Sequence, residues 1–436
     1  MVQDGVIADI TETRNFPRNI PVEDFGNSVV MAGLVDTHVH INEPGRTDWE
    51  GFGSATKAAA AGGVTMLVDM PLNSSPVTTT VMALEEKIAA SRGKLFVDCG
   101  FYGGVVPGNT DQLKLLIDAG VLGIKAFLID SGIDDFPNVN ENDLRAAMRV
   151  IAESDVPLLV HAELEREGLE NGTRFFESKS YNEYLSSRPR SLEKNSIDLL
   201  IRLCREYNCR THIVHLSSAD EIPALVSARR SGVPLSVETC PHYLYFFSEE
   251  IPDGDTRFKC APPIRERDNR ERLWDALRAG VVDCIVSDHS PCPPEMKMLR
   301  EGNFQKAWGG IASLQFGLSI IWTEASKRGF SVTDIAEWMI RYPAELVGIS
   351  GTKGTLSSGC DADIVVWNPE ASFVIEPFMI EHRHKLTPYE GRTLLGKVEK
   401  TFLRGKKIFD NGRFLGETCG KVMLRTERHA SDSIRK

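Results

Sequence analysis

The sequence predicts an α/β fold: an eight-stranded (β/α)8 barrel with a small composite β-sandwich domain beside it. Three observations carry this expectation. Eight apolar runs rich in Val, Ile and Leu alternate with segments of helical period, as parallel strands buried on both faces should. No GxGxxG turn follows a strand, which argues against the competing doubly wound open sheet. After Gly348 the texture changes to short β-like pieces punctuated by Gly351, Gly354, Gly359, Pro369 and Pro377.

Taken in order, residues 1–30 are polar and broken by Pro17 and Pro21. They cannot build a core alone and are expected to complete the small β-domain. The barrel is expected over 31–347. Its strands are read at Leu34–Ile41, Thr65–Met70, Leu95–Val105, Gly123–Ile129, Pro157–Ala162, Thr211–Leu216, Leu235–Thr239 and Cys284–Asp288. Helical period falls between them at Thr80–Arg92, Glu141–Ala152, Ser196–Tyr207, Ser218–Ser231 and Arg270–Ala279, with stop glycines at Gly93, Gly232 and Gly280. Leu314–Lys327 and Val332–Arg341 would close the ring. Residues 348–416, with β-like pieces at Ala362–Trp367 and Lys397–Leu403, form the rest of the small domain. Residues 417–436 read as a polar tail, loose or docking late.

The 436 residues suffice for one large and one small unit. A net charge of −11 argues against a nucleic-acid backbone or an anionic membrane as partner. No apolar run reaches the length of a membrane span, and the N-terminus lacks the basic-then-apolar order of a secretory signal. The nine cysteines form no CxxC pair, which points to reduced thiols and a cytoplasmic setting. The terminal Ser433-Ile434-Arg435-Lys436 is not a Ser-Lys-Leu address, although a peroxisomal location stays open.

The chemistry gathers at strand ends, where a βα barrel carries its site. Gly33–Ile41 reads as a buried strand ending in His38 and His40, which share a face because strand side chains alternate. Paired buried imidazoles are either hydrogen-bonded core residues or ligands of a divalent metal. His161 ends strand five, His215 strand six and Asp288 strand eight. Four histidines and an aspartate aimed at one mouth favour the metal.

Lys125 lies inside the apolar fourth strand. Burial depresses a lysine pKa, and the neutral amine can form a Schiff base or add CO2 to give a carbamate. Nearby cations favour the carbamate, which can bridge two metals. Asp288 can both ligate and shuttle a proton between water and a leaving nitrogen. His212, three residues before His215, is expected to face the opposite way, toward helices. His242 is near a strand end, with a site contact or a loop-capping role open. His289 is expected to face away, and His382, His384 and His429 are assigned no chemistry.

These motifs resemble the metal-dependent amidohydrolase superfamily, in its cyclic-amidase branch of dihydroorotases, hydantoinases and allantoinases. The resemblance runs from Gly33-Leu34-Val35-Asp36 to Gly359-Cys360-Asp361-Ala362-Asp363. It is narrowest toward the allantoinases of eukaryotic type. That match rests on Ile41-Asn42-Glu43-Pro44-Gly45-Arg46, Met70-Pro71-Leu72-Asn73-Ser74, Glu238-Thr239-Cys240-Pro241-His242-Tyr243, Ala261-Pro262-Pro263-Ile264-Arg265 and Trp308-Gly309-Gly310-Ile311.

The resemblance implies a binuclear centre with zinc as the usual metal. His38, His40 and Asp288 would hold one ion and His161 and His215 the other, with carboxylated Lys125 and a hydroxide between them. It implies opening of (S)-allantoin to allantoate by a homotetramer. Dihydroorotases carry a substrate-reading arginine where this chain has Asn42, which cannot form the bidentate fork. A ring without a carboxylate is therefore expected. The candidate readers are Asn42, Asn73, Ser131, the backbone near Ala261, and Trp308, Gly309 and Gly310. Arg46 is a substrate contact or a loop-positioning group. Hydantoinases place an oxyanion-holding tyrosine where this chain has Asp130, so Ser131 or the metals would take that role. Relative to the family the chain starts one or two strands late, and a longer start is expected to stabilise the small domain.

Overall fold

The computed structural model describes residues 1–12, 20–165 and 178–425. Pro17, His429 and the tail beyond residue 425 lie outside them. Eight parallel strands form the centre of the molecule: β1 (Leu34–Val39), β2 (Val64–Asp69), β3 (Asp98–Phe101), β4 (Ile124–Phe127), β5 (Leu158–His161), β6 (Thr211–Ile213), β7 (Leu235–Thr239) and β8 (Cys284–Ile285). Strands β4 to β8 pair consecutively, as do β1 to β3. A parallel bridge between Val39 and His289, with the His40 N–H donating to His289 O at 2.8 Å, joins β8 back to β1. The ring therefore closes as a (β/α)8 barrel.

Each strand is buried along nearly its whole length because both of its faces are covered, one by the barrel interior and one by helices. The polar residues it carries, such as Asp36, His38, Lys125, His212 and Glu238, are buried with it. The helices Phe52–Ala61, Val81–Ser91, Thr110–Asp118, Glu141–Ile151, Arg190–Tyr207, Ile222–Arg230, Arg267–Arg278 and Gly317–Lys327 provide the outer layer. Their ends follow local chemistry. Thr80 accepts from the Ala83 N–H at 3.2 Å, and Asn140 with Asp143 forms a reciprocal capping box. Gly33 has no alternative: a Cβ there would lie 2.2 Å from Thr65 Oγ1 on β2.

The third strand departs from the continuous run expected over Leu95–Val105. It breaks after Phe101, and only its continuation, Gly103–Gly104, pairs with β4. The gap is filled by the far end of the chain. The Cys99 N–H donates to Lys421 O and the Met423 N–H to Cys99 O, both at 2.9 Å. Residues 420–425 thus strap the N-terminal end of the barrel between β3 and β4.

Beside the barrel, Val29–Ala32, Ile364–Val374, Thr393–Leu403, Lys406–Asp410 and Arg413–Phe414 form one antiparallel sheet in that order. A two-stranded ribbon, Val2–Gln3 with Val6–Ile7, adjoins it through the Ile7 N–H on Cys360 O at 2.8 Å. Lys353 stands at the junction. Its ammonium meets Asp98 at 2.7 Å, Asp361 at 2.8 Å and Asp363 at 2.6 Å, all deeply or half-buried. Among the described residues no helix is long and apolar enough to cross a membrane.

Candidate metal centre

The C-terminal ends of the strands surround a cavity of about 570 Å³. His38, His40, Lys125, His161, His215 and Asp288 all line it, and each is at least nine-tenths buried. The His38 ring centroid lies 5.6 Å from that of His40 and 5.5 Å from that of His215, and His161 meets His215 edge-on at 4.6 Å. His38 Nε2 and His40 Nε2 approach the same Asp288 oxygen at 3.2 and 3.4 Å.

Hydrogen bonding behind the rings decides what faces inward. His38 Nδ1 lies 2.5 Å from Glu238 Oε1, so it carries the proton and Nε2 presents a lone pair. That lone pair faces the Asp288 carboxylate, an acceptor opposed to an acceptor. His161 Nε2 likewise lies 2.7 Å from Glu163 Oε2, which Arg188 also holds. Lys125 Nζ and His215 Nδ1 are buried with no hydrogen-bond partner among the described residues. Unpaired buried polar atoms cost about 1–3 kcal/mol each. Opposed acceptors, unpaired nitrogens and an N/O donor set fit divalent cations at this mouth. Among the described residues, His38, His40 and Asp288 bring ligand atoms within 4.8 Å of one another.

The electrostatics agree. Burial alone would raise the Asp288 carboxyl. Protonated rings at His38, His40 and His215 would hold it well below the carboxylate range, and a divalent cation in their midst would do the same with those rings neutral. Burial lowers His40 to about 4 and pulls the Lys125 amine down to about 8, so a sizeable neutral fraction exists at physiological pH. Glu238 would be raised by burial, yet His38 and His212 bring it to about 2.

The remaining candidates divide. Asn73, Ser131, Ala261, Trp308, Gly309 and Gly310 line the cavity. The Asn73 amide stands 3.3 Å from His40 Nδ1, so one end orients that ring and the other stays available. Trp308 packs edge-on to Trp49 at 4.8 Å, and its indole N–H is buried with no acceptor among the described residues. The Ser131 hydroxyl is engaged by Phe136 O at 2.6 Å.

Asn42 does not line the cavity. Its backbone is left-handed, with φ of 67°, and its amide points to Pro291 O at 3.3 Å, so the expected ring contact is corrected to a loop contact. Arg46 donates to Asn73 O at 3.0 Å and positions that loop.

His212 also departs from expectation. It faces the barrel interior, bonded to Glu238 at 3.0 Å and Ser236 at 2.7 Å. Alternation fails here because β6 ends at Ile213 and His215 has φ of 40°. His242 is buried near Asp288 and Cys240. His289 sits 3.5 Å from Glu50 and against His382, while His384 reaches Asp48 O at 2.7 Å. Glu238, Glu163 and Arg188 were not singled out by sequence reasoning. The pattern His-x-Glu at His161 and Glu163 was the available signal.

A sequence model described as the Amidohydrolase family matches residues 29–408. The chain belongs to the amidohydrolase family. This amidohydrolase is 45% identical to "Allantoinase" of Arabidopsis thaliana over 98% of its own length and 87% of the relative's. It is 43% identical to "Allantoinase" of Saccharomyces cerevisiae, covering 98% and 93% of the two chains. It is 48% identical to "Probable allantoinase 2" of Dictyostelium discoideum, covering 89% and 79%. Among solved structures, L-hydantoinase (dihydropyrimidinase) from Arthrobacter aurescens superposes with a TM-score of 0.90 at 30% identity, covering 97% and 95%. The family implies divalent metal use and a small-molecule substrate.

Proposed function

We propose that this amidohydrolase opens the hydantoin ring of (S)-allantoin to give allantoate. The observation that carries the reading is the convergence of His38, His40, Lys125, His161, His215 and Asp288 on one cavity. It occurs in a chain 43–48% identical to proteins named as allantoinases.

His38, His40 and Asp288 would hold one divalent ion and His161 and His215 a second. Carboxylated Lys125 would lie between them. Zinc suits these N and O donors, as do iron, cobalt and manganese. Such ions supply Lewis acidity toward a ring carbonyl and an activated water at neutral pH. The neutral Lys125 amine would reach the carbamate state by adding CO2 and releasing one proton, which places an anion among cation-binding groups; starting from the ammonium, two protons leave in all.

Asp288 then manages the proton. Its carboxylate accepts one from the attacking water as the new C–O bond forms, and returns it to the ring nitrogen as the C–N bond breaks. Glu238 and Glu163 fix the tautomers of His38 and His161. The free end of the Asn73 amide and the Trp308 indole N–H offer the substrate one amide contact and one donor. Leu72, Phe127 and Trp308 on the cavity wall exclude bulk water. We further propose a cytoplasmic homotetramer.

The similarity to L-hydantoinase favours one rival, a hydantoinase or dihydropyrimidinase acting on other cyclic amides. Steady-state turnover of allantoin, hydantoin, dihydrouracil and dihydroorotate, with metal content measured on the same sample, separates the two. Allantoin should give the highest kcat/KM. Equal or better turnover of another ring would overturn the reading.

A further inference from the structure

We propose that the opposite end of the barrel carries a second, inhibitory site for a soft divalent cation, formed by His212, Glu238 and Cys284. A separate cavity of about 360 Å³ opens there, at the N-terminal starts of β6, β7 and β8. His212, Ser236 and Cys284 line it. It shares no lining residue with the cavity at the strand C-termini.

The donors are brought together by barrel register. Glu238 pairs with Cys284 across β7 and β8, and His212 pairs with Ser236 across β6 and β7. An imidazole nitrogen, a carboxylate oxygen and the thiol sulfur all lie within 4.8 Å of one another. All three side chains are buried. Nitrogen, oxygen and sulfur donors so placed suit zinc, cadmium or cobalt. Ser236 Oγ, 2.7 Å from His212 Nδ1, keeps that nitrogen protonated once Nε2 turns to a metal. Binding would release the thiol proton into the cavity, because the thiolate is the ligand.

The site is wired to the other end of the barrel through one carboxylate. Glu238 Oε2 faces His212 at 3.0 Å and Oε1 faces His38 Nδ1. A cation on Oε2 withdraws charge from Oε1 and loosens its hold on His38. Disturbing such a partner typically costs about 10–100-fold in metal affinity or activity. Cation binding at this site stands independently of the proposed allantoin chemistry. The inhibitory effect rests on His38 being a ligand.

The test adds Co2+ or Cd2+ to metal-replete enzyme. One further equivalent should bind with a thiolate-to-metal charge-transfer band, and because Cys240 and Cys260 lie near the other mouth its assignment to Cys284 is read from the variant. The band should vanish in Cys284→Ala, whose turnover without added cation stays at the wild-type level. Added cation should lower wild-type turnover about tenfold or more and spare the variant. A band that is absent, or that survives in Cys284→Ala, would overturn the site. Binding that leaves turnover unchanged would overturn the coupling to His38. Should Cys284→Ala fail to fold, anomalous diffraction from a cadmium-soaked wild-type crystal decides: a peak among His212, Glu238 and Cys284 supports the site, and none there refutes it.

Discussion

Glu238 and His38 are separated by 200 residues and meet at 2.5 Å in the barrel interior, carboxylate oxygen to imidazole Nδ1. The same carboxylate holds His212 and accepts from the His215 N–H at 3.3 Å. One side chain from β7 therefore orients groups on both β1 and β6. Glu238→Gln keeps the shape and removes the charge. The expected result is a loss of metal affinity of about 10–100-fold, read as metal retained after dialysis against a chelator. Full retention would show that His38 is oriented by something else.

Lys125 predicts a chemical rescue. Lys125→Ala should abolish turnover and weaken binding of the ions, because no anion then lies between them. Acetate or propionate should restore part of the activity by standing in for the carbamate. Metal binding unchanged and no rescue would remove the bridging role.

Glu163 predicts an acid-side loss of stability in metal-free protein. Burial would raise its carboxyl, but Arg188 and His161 bring it to about 2, below the usual 4.5. A depressed carboxylate stabilises fully above its unfolded value, and the gain is lost as pH falls from about 4.5 toward 2. A shift of that size corresponds to about 3 kcal/mol. Denaturant midpoints across this range should show Glu163→Gln less stable than wild type at neutral pH, with the gap narrowing on acidification. Parallel curves would contradict the ion pair's contribution.

Lys353 predicts the strength of the barrel's junction with the small sheet. Removing the cation in Lys353→Met leaves Asp98, Asp361 and Asp363 clustered, with the Arg404 guanidinium paired to Asp98 alone among them in the described residues. Breaking a buried ion network on one side costs about 3–5 kcal/mol. Equilibrium unfolding should register that loss, and a variant as stable as wild type would contradict it.

The barrel was legible in the sequence because strands buried on both faces read as mostly apolar runs, and eight such runs alternate with helical period. The four histidines and Asp288 stood out as polar interruptions at the ends of such runs, and Lys125 as one inside a run. Partners across the barrel were not legible. Glu238 lies in an apolar run two residues from Cys240, and nothing local says that it meets His38. His212 was misplaced because counting by alternate residues assumes a regular strand, and the backbone turns left-handed at His215. Asn42 was placed by the position of the dihydroorotase arginine, and sequence position alone does not show that φ of 67° turns its amide to Pro291. The strap at residues 420–425 carries the apolar run Val422-Met423-Leu424, which packs against the core, but three residues among polar neighbours are too short a signal to mark a docking segment in the sequence.

The central claim is that six side chains from five strands clasp two cations with a modified lysine between them. Anomalous diffraction from a crystal grown with divalent metal and bicarbonate tests it most directly. The account predicts two peaks, one against His38, His40 and Asp288 and one against His161 and His215, with electron density extending beyond Lys125 Nζ. No ion at this mouth, or a bare amine on Lys125 beside bound metal, would contradict it.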